Sequence, residues 1–295
     1  MLKMNRKDFI KMISGGAAMA SIQPLYNWSK SLHEEDEKLP VLFIGHGSPM
    51  NAIEDNEFSK RWQQMGKEIP TPKAVVVVSA HWLTKGTMVT AMPNPKTIHD
   101  FGGFPQALFD VQYPAPGSPE LATEIQKLIT NPAVELDHDW GLDHGTWSVV
   151  KHMYPDADIP VLQLSIDYYK PATYHYELAK QLLSLRKKGV LIIGSGNMVH
   201  NLRMVAWDKL NQPEYGYDWA LEINAIFKEK ITNGFHKELI QYEKLNKAAT
   251  LAIPSPDHYY PLLYILALQT ENDKVEFFND KAVGGSLTMT SVKIG

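Results

Sequence analysis

Short apolar segments recur along the chain, and two of them end in turns that contain glycine. Residues 41–44, 75–78 and 190–193 are continuous apolar runs, and residues 161–166 form a fourth segment of strand length. A run without polar alternation predicts a strand that is buried on both faces. Residues 287–294 alternate between apolar and polar side chains, which predicts a closing strand.

Segments with helical periodicity lie between these strands. The predicted helices cover residues 56–67, 119–130, 146–154, 171–188, 218–232 and 259–268. A second extended run over residues 87–91 follows Lys85 and Gly86, which predicts a hairpin at the edge of the sheet. No repeat or long linker interrupts the chain after residue 40. We therefore expect one α/β domain over residues 39–295, with a central, mostly parallel sheet flanked by helices.

Histidines stand beside glycine or proline turns at the ends of predicted elements. His46, His81 and His200 follow strands, and His144 and His258 precede helices. Ligands bind where the carboxyl ends of parallel strands meet. A single histidine of this kind is more often structural, but five such positions are harder to explain in that way. Neutral imidazole binds divalent metals, and three ligands from separate elements leave coordination positions open for substrate.

Composition and charge narrow the classes of function. The chain has 295 residues, 44% of them hydrophobic, a net charge of -4, a pI near 6.3 and no cysteine. Its basic side chains do not cluster beyond residues 186–188, which argues against a nucleic-acid partner. Without cysteine, disulfides and thiolate sites are excluded. Any metal must be held by His, Asp or Glu.

The N-terminus has the layout of an export signal. Basic residues precede a short apolar stretch that ends in alanines within residues 1–20. Residues 5–11 resemble a twin-arginine signal with Lys7 in place of the second arginine. We expect export to the periplasm, with residues 21–38 as a polar linker and no membrane span in the mature protein. The alternative is an amphipathic N-terminus on a cytoplasmic protein.

Two other motifs lack necessary residues. Residues 194–199 suggest a dinucleotide-binding turn, but Val199 replaces the third glycine. A nucleophile elbow at Ser195 would need glycines where Ile193 and Asn197 stand.

Aromatic side chains occur near the histidines in the sequence. The Pro- and Gly-rich loop over residues 94–105 contains His99 and Phe101 and is a candidate lid or pocket wall. Trp82 adjoins His81, and Tyr259 adjoins His258. Each aromatic is more often a core residue, but as a set they could bind a flat ring.

Several segments carry a family resemblance in a fixed order. They are residues 45–51, 79–82, 97–108, 113–117, 143–145, 196–203 and 256–259. Together they resemble the 4,5-DOPA extradiol dioxygenase family, a branch of the class III extradiol ring-cleavage dioxygenases. The resemblance runs from Leu39 to the C-terminus.

The resemblance implies a non-haem Fe(II) enzyme with His46, His81 and His258 as metal ligands. His200 matches an active-site histidine that acts as the base or coordinates the metal, and His144 matches a histidine near the substrate. Protocatechuate-cleaving relatives use two histidines and one carboxylate. An all-histidine set also suits Zn(II).

The expected reaction is extradiol cleavage of a catechol such as DOPA by O2 to give a muconic semialdehyde. The partners are therefore the small-molecule catechol and O2, and the oligomeric state is not indicated. Two alternatives remain open. A zinc hydrolase would activate water with the same histidines, and a non-catalytic binding protein could use the same fold.

Overall fold

The computed structural model describes residues 38–210, 212 and 214–295 of the chain. The expected export signal over residues 1–20 and the linker through residue 37 lie outside the described residues. Ten strands are present in the described parts. They are β1 (Val41–Gly45), β2 (Ala74–Thr84), β3 (Thr87–Thr90), β4 (Val134–Asp137), β5 (Val161–Asp167), β6 (Val190–Gly196), β7 (Val275–Phe278), β8 (Ala282–Val283), β9 (Leu287–Thr288) and β10 (Ser291–Ile294).

Helices connect most of the strands. The α-helices are α1 (Glu57–Glu68), α2 (Gln106–Phe109), α3 (Pro119–Leu128), α4 (His144–Met153), α5 (Ala172–Lys180), α6 (Asp218–Thr232), α7 (His236–Ile240), α8 (Lys247–Ala252) and α9 (Tyr260–Leu266). Short 3₁₀ helices cover Pro49–Ala52, Leu183–Lys188, Leu202–Met204, Trp207–Lys209 and Tyr242–Lys244. Within the described ranges, none of the helices has the length and apolar character needed to cross a bilayer.

The main sheet has eight strands in the order β4-β3-β5-β2-β6-β1-β10-β7. The central strands β5, β2, β6 and β1 are parallel to one another, whereas β10 is antiparallel to β1 and β7 is antiparallel to β10. Strands β8 and β9 form a separate two-stranded sheet. This arrangement confirms the predicted single α/β domain with a central, mostly parallel sheet.

The continuous apolar runs are explained by the two layers that cover the sheet. In β2, Val76 and Val78 pack in one core cluster, and Val75 and Val77 pack in the other. Helices α3, α5, α6 and α9 contribute to the first cluster, and α1 and α4 contribute to the second. Successive side chains of a strand point to opposite faces, so both faces of a covered strand must be apolar.

Three predicted elements differ in the structure. The run after Gly86 is β3, but it pairs with β5 through Val89 and Leu164 rather than forming a hairpin with β2. The helix predicted over residues 171–188 is an α-helix only as far as Lys180. A 3₁₀ helix follows over Leu183–Lys188, and it ends at Gly189, whose φ is 75°. The closing strand is divided into β9 and β10. Long-range pairing and local turn geometry override the sequence periodicity in these places.

The neighbouring strands β2, β6 and β1 deliver their carboxyl ends to one edge of the sheet. The segment before α9 reaches the same edge, because the Asn197 amide donates to the His258 carbonyl at 3.0 Å. A Cβ at Gly196 would lie 2.1 Å from that carbonyl oxygen. The glycine therefore permits the close approach that brings His258 to the strand ends.

Candidate active site

His46, His81 and His258 converge at this edge. Each offers a nitrogen, and the three nitrogens lie within 4.8 Å of one another. The Nε2 atoms of His46 and His81 are 3.1 Å apart. The His258 ring centroid lies 5.1 Å from the centroids of both other rings. The structure thus brings together the three side chains that the resemblance assigns as metal ligands.

The strand ends hold these imidazoles through hydrogen bonds. His46 follows β1 directly, and its Nδ1 lies 3.0 Å from Ser195 Oγ at the end of β6. The Ser195 hydroxyl also donates to the Gly145 carbonyl at 2.5 Å. His258 Nδ1 lies 3.3 Å from Asn197 Oδ1, just beyond the same strand. Parallel pairing of β1 with β6 therefore brings each ligand beside an oxygen acceptor.

His81 and His144 share the carboxylate of Asp100. The Asp100 Oδ2 atom lies 2.9 Å from His144 Nδ1 and 3.4 Å from His81 Nδ1. Asp100 Oδ1 accepts a hydrogen bond from the His144 backbone amide at 2.9 Å. The two imidazole centroids are only 3.9 Å apart. His144 is consequently held against the ligand cluster.

Asp143 fixes the start of α4, on which His144 lies. Its fully buried carboxylate accepts from the Thr146 amide at 3.1 Å, the Ser79 hydroxyl at 2.7 Å and the Gln163 side-chain amide at 2.6 Å. Burial raises the pKa of Asp143. These bonds link the start of α4 to Ser79 in β2, two residues before His81, and to Gln163 in β5.

Burial keeps the site histidines neutral. It holds the pKa of His46 and His258 well below the ordinary value, and neighbouring imidazoles lower the pKa of both further. The same effect lowers the pKa of His81 to about 3 and that of His200 to about 4. Burial alone would raise the pKa of Asp100, but hydrogen bonding and charge interactions with His144, with a further contribution from His81, lower it.

The residues present fit a divalent metal ion. Neutral imidazole is the form that donates a lone pair to a metal. Two nitrogens bound at a right angle with bonds of about 2.1 Å would be about 3.0 Å apart, close to the 3.1 Å between His46 Nε2 and His81 Nε2. A set of three nitrogen ligands accommodates iron, zinc and other first-row ions, so the donors favour no single metal.

His200 lies on the outer side of His258. Their rings are stacked with centroids 3.5 Å apart and an interplanar angle of 6°. The His200 amide donates to the Ala252 carbonyl at 2.9 Å, which fixes the backbone against α8. The Asp257 carboxylate is 3.8 Å from His258 Nε2. His200 is therefore adjacent to the ligand set, as both of its predicted roles require.

Phe101 and His99 line the side of the cluster near His144. The Phe101 ring meets the His144 ring edge to face, with centroids 5.5 Å apart. His99 Nε2 donates to the Val111 carbonyl at 2.9 Å, and its ring packs between Phe101 and Trp147. Phe101 thus contacts a site residue directly, whereas His99 supports Phe101 from behind.

Trp82 and Tyr259 occupy packing positions. Trp82 is 3% exposed and stacks on Trp140, with ring centroids 5.8 Å apart. Tyr259 is fully buried, and its hydroxyl donates to the Leu239 carbonyl at 2.9 Å. Alternation along β2 and the turn into α9 direct these side chains away from their histidine neighbours. Both side chains are therefore buried in the structure, and their contact with substrate stays a prediction.

Four polar residues of the site were absent from the candidate set derived from the sequence. They are Asp100, Asp143, Ser195 and Asn197. Asp100 adjoins His99 in a predicted pocket loop, and Asp143 is the N-cap of α4, which begins two residues earlier than the sequence predicted. Ser195 and Asn197 are two residues apart at the end of a buried strand, and this spacing places both side chains on one face.

Comparison with known proteins identifies the fold and the family. Residues 40–293 match the family described as the catalytic LigB subunit of aromatic ring-opening dioxygenase. The chain is 47% identical over 271 residues to a 4,5-DOPA dioxygenase extradiol of Escherichia coli, covering 90% of this chain and 98% of that protein. It is 39% identical to a protein of the same name from Beta vulgaris, covering 88% and 97%.

A solved structure gives the same result. The crystal structure of an uncharacterized protein from Escherichia coli K12 superposes with a TM-score of 0.76 at 43% identity. The match covers 88% of this chain and all of that one. The converging histidines lie inside the matched region. The chain therefore belongs to the LigB family of aromatic ring-opening dioxygenases.

Proposed function

We propose that this extradiol ring-cleavage dioxygenase opens the ring of a catechol such as DOPA with O2, outside the two hydroxyl groups, to give a muconic semialdehyde. The observation that carries the proposal is the convergence of His46, His81 and His258 at one sheet edge, flanked by His144 and His200. Relatives from Escherichia coli and Beta vulgaris named 4,5-DOPA dioxygenase extradiol support the choice of substrate.

His46, His81 and His258 would hold the metal, for which we propose Fe(II). When bound, Fe(II) supplies positive charge that favours the catecholate and a redox-active centre for the reaction with O2. Three protein ligands leave space for the substrate oxygens. The same donors would also hold Zn(II).

His200 would accept the proton of a catechol hydroxyl. It is neutral at physiological pH because burial lowers its pKa to about 4, while the nearby Asp257 carboxylate acts in the opposite direction. Its ring is parallel to the ring of His258 at 3.5 Å, so it borders the ligand set. A neutral imidazole beside the substrate hydroxyl is a suitable base.

His144 and Phe101 would orient the aromatic ring. Asp100 holds His144 at 2.9 Å, which keeps the imidazole against the cluster. Phe101 presents an apolar edge 5.5 Å from the same imidazole. A substrate ring placed beside Phe101 would have its hydroxyl groups toward the histidines and its apolar edge away from water.

Oxygen uptake tests the function. Anaerobically prepared protein is loaded with Fe(II) and mixed with DOPA and a panel of other catechols. We expect consumption of one O2 per catechol and the absorbance of a ring-opened semialdehyde. Hydrolysis of ester or amide substrates by the Zn(II)-loaded protein, without O2 consumption and without cleavage of any catechol, would instead indicate the hydrolase alternative. Metal binding without turnover of any panel member would favour a binding protein.

We also propose that the mature protein is periplasmic, on the basis of the sequence of residues 1–20. N-terminal sequencing of the active protein from its native host should find a start near Ser21. An intact Met1 on active cytoplasmic protein would contradict export.

A further inference from the structure

Each of the three converging histidines has its Nδ1 atom beside an oxygen. The partners are Ser195 Oγ for His46, Asn197 Oδ1 for His258 and Asp100 Oδ2 for His81. A neutral imidazole carries one proton, and the tautomer depends on which nitrogen has an acceptor. The orientation of these three oxygen partners therefore determines the nitrogen that remains free.

Ser195 can only accept from His46. The serine hydroxyl has one proton, and the hydroxyl donates it to the Gly145 carbonyl oxygen at 2.5 Å. A carbonyl oxygen can only accept, so this contact uses the single proton of Ser195. The remaining contact of Ser195 Oγ, at 3.0 Å from His46 Nδ1, must then use a proton of the imidazole. This places the His46 proton on Nδ1 and leaves a lone pair on Nε2.

Asn197 is oriented by two backbone groups. Its side-chain nitrogen donates to the Thr288 carbonyl at 2.8 Å, and its Oδ1 accepts from the Gly47 amide at 3.4 Å. Both contacts place the oxygen, which is only an acceptor, toward His258 Nδ1. The carboxylate of Asp257 is 3.8 Å from His258 Nε2, too far for a hydrogen bond that would hold a proton there.

Asp100 acts on His81 through its charge, because the two side chains form an ion-pair contact and not a hydrogen bond. Its ionised carboxylate is only an acceptor, and Oδ2 lies 3.4 Å from His81 Nδ1. That charge favours the proton of His81 on Nδ1, and with a cation bound the Nε2 atoms of His46 and His81, which are 3.1 Å apart, would both carry lone pairs. Two facing lone pairs at that distance repel unless a cation lies between them.

We infer that Ser195 and Asn197 are positioning residues that hold His46 and His258 as Nδ1-protonated tautomers, so that their Nε2 lone pairs face one divalent cation beside His81. The inference rests on the metal site of the proposed function but not on its substrate. A ligand already in the correct tautomer needs no proton shift before it binds. Partners of this kind contribute about 10- to 100-fold to metal affinity.

The tautomers are measured on metal-free wild-type protein by long-range ¹H–¹⁵N correlation NMR. Signals of His46 and His258 are assigned from their loss in the variants His46→Gln and His258→Gln. We expect a protonated Nδ1 and an unprotonated Nε2 in both residues. A protonated Nε2 in either would overturn the inference, whether or not any variant folds.

Zinc affinity, measured by competition with a chromophoric chelator, tests the energetic consequence. Ser195→Ala should bind Zn(II) about 10- to 100-fold more weakly than wild type. Ser165→Ala is the matched control, because Ser165 is also fully buried in a central strand but bonds to Thr84 and Met88. Unchanged affinity in Ser195→Ala would contradict the inference.

Substitutions of Asn197 separate its role as a hydrogen-bond acceptor for His258 from its role as a donor to Thr288. Asn197→Leu loses both the acceptor for His258 and the donor to Thr288, whereas Asn197→Asp keeps an acceptor. We expect weakened Zn(II) binding in Asn197→Leu and wild-type or tighter binding in Asn197→Asp. Equal loss in both variants would assign the effect to the Thr288 bond and overturn the role proposed for Asn197.

These readouts are independent of ring cleavage. If no catechol is oxidised but the tautomers and zinc affinities are as expected, the proposed substrate fails and the positioning role stands. If ring cleavage is observed and the tautomers are reversed, only the positioning role fails.

Discussion

At the scale of single residues, burial keeps the imidazoles of His46 and His258 in the neutral form that binds a cation. His46 is 1% exposed and His258 is 6% exposed, and burial keeps both neutral. A charged imidazole at either position would be buried and would lie beside the other histidines of the site. The low pKa values therefore favour a lone-pair donor at neutral pH.

Removing one converging imidazole should abolish stoichiometric metal binding. His46→Ala or His81→Ala each deletes a ligand that comes from a separate strand end. Metal content after loading with Fe(II) or Zn(II) and gel filtration checks this expectation. His138→Ala, at an exposed position after β4, is the control and should keep wild-type occupancy. Full occupancy in either ligand variant would reject the assignment.

His200→Gln separates the two roles predicted for this histidine. As a base, His200 can be removed without loss of metal, but turnover should fall by about 10²- to 10⁴-fold. We expect this pattern because three other histidines already converge. Metal content and single-turnover ring cleavage are measured on the same preparation. Joint loss of metal and activity would indicate a ligand, and unimpaired turnover would refute both roles.

The sequence predicted the histidines of the site better than the residues that contact them. Apolar runs that are followed by a histidine are local patterns, and they marked His46, His81 and His200. Ser195 and Asp100 act through contacts with His46 and His144, which are distant in sequence. No local pattern contains such pairs, so these partners emerge only when the strand order is known.

At the scale of elements, the contact between β6 and the segment before α9 places His258. Gly196→Ala would put a methyl group 2.1 Å from the His258 carbonyl oxygen. We expect a loss of about 1–3 kcal/mol in the free energy of unfolding, together with weaker metal binding because His258 is displaced. Denaturant unfolding and zinc competition check both effects.

Gly102→Ala is the matched control for this substitution. A Cβ at Gly102 would have no heavy atom within 4 Å. Stability and metal affinity should therefore remain at wild-type values in this variant. A Gly196→Ala protein with the same values as Gly102→Ala would show that α9 can move without disturbing the site.

Element boundaries were predictable where local signals are strong. Helix α6 covers Asp218–Thr232 as the periodicity predicted, and α1 begins after Asn56, whose side chain caps the first turn. The hairpin prediction was wrong because β5, from more than 70 residues later, pairs between β2 and β3. Turn residues at Lys85 and Gly86 carry no information about a third strand.

At the scale of the whole molecule, Arg186 joins segments from both ends of the domain. Its buried guanidinium donates to the Leu39 and Leu268 carbonyls and forms a 2.6 Å ion pair with Asp273. Burial alone would raise the pKa of Asp273, but hydrogen bonds from Arg186 and Lys38 lower it well below its usual range. The folded state therefore favours the ionised carboxylate.

Acid should weaken this connection. Since the pKa of Asp273 is lower in the folded state, its contribution is complete above about pH 4 and is lost as pH falls further. Asp273→Asn should cost about 3–5 kcal/mol at pH 7, because it leaves a buried guanidinium without its counter-ion. The difference from wild type should narrow between about pH 4 and pH 2.

Chemical denaturation at several pH values measures this difference. Asp55→Asn is the control, because the Asp55–Lys60 pair is exposed and should contribute at most about 1 kcal/mol. A constant difference between wild type and Asp273→Asn across the acid range would contradict the assigned role of Asp273.

The position of β1 has a consequence for biosynthesis. This strand lies between β6 and β10, and β10 follows β1 by about 250 residues in the described chain. The sheet cannot be completed before β10 has been synthesised, and such long-range pairing slows folding. His258 also emerges long after His46 and His81. The complete set of imidazoles therefore assembles only after residue 258 has left the ribosome, so capture of the metal follows the synthesis of most of the domain.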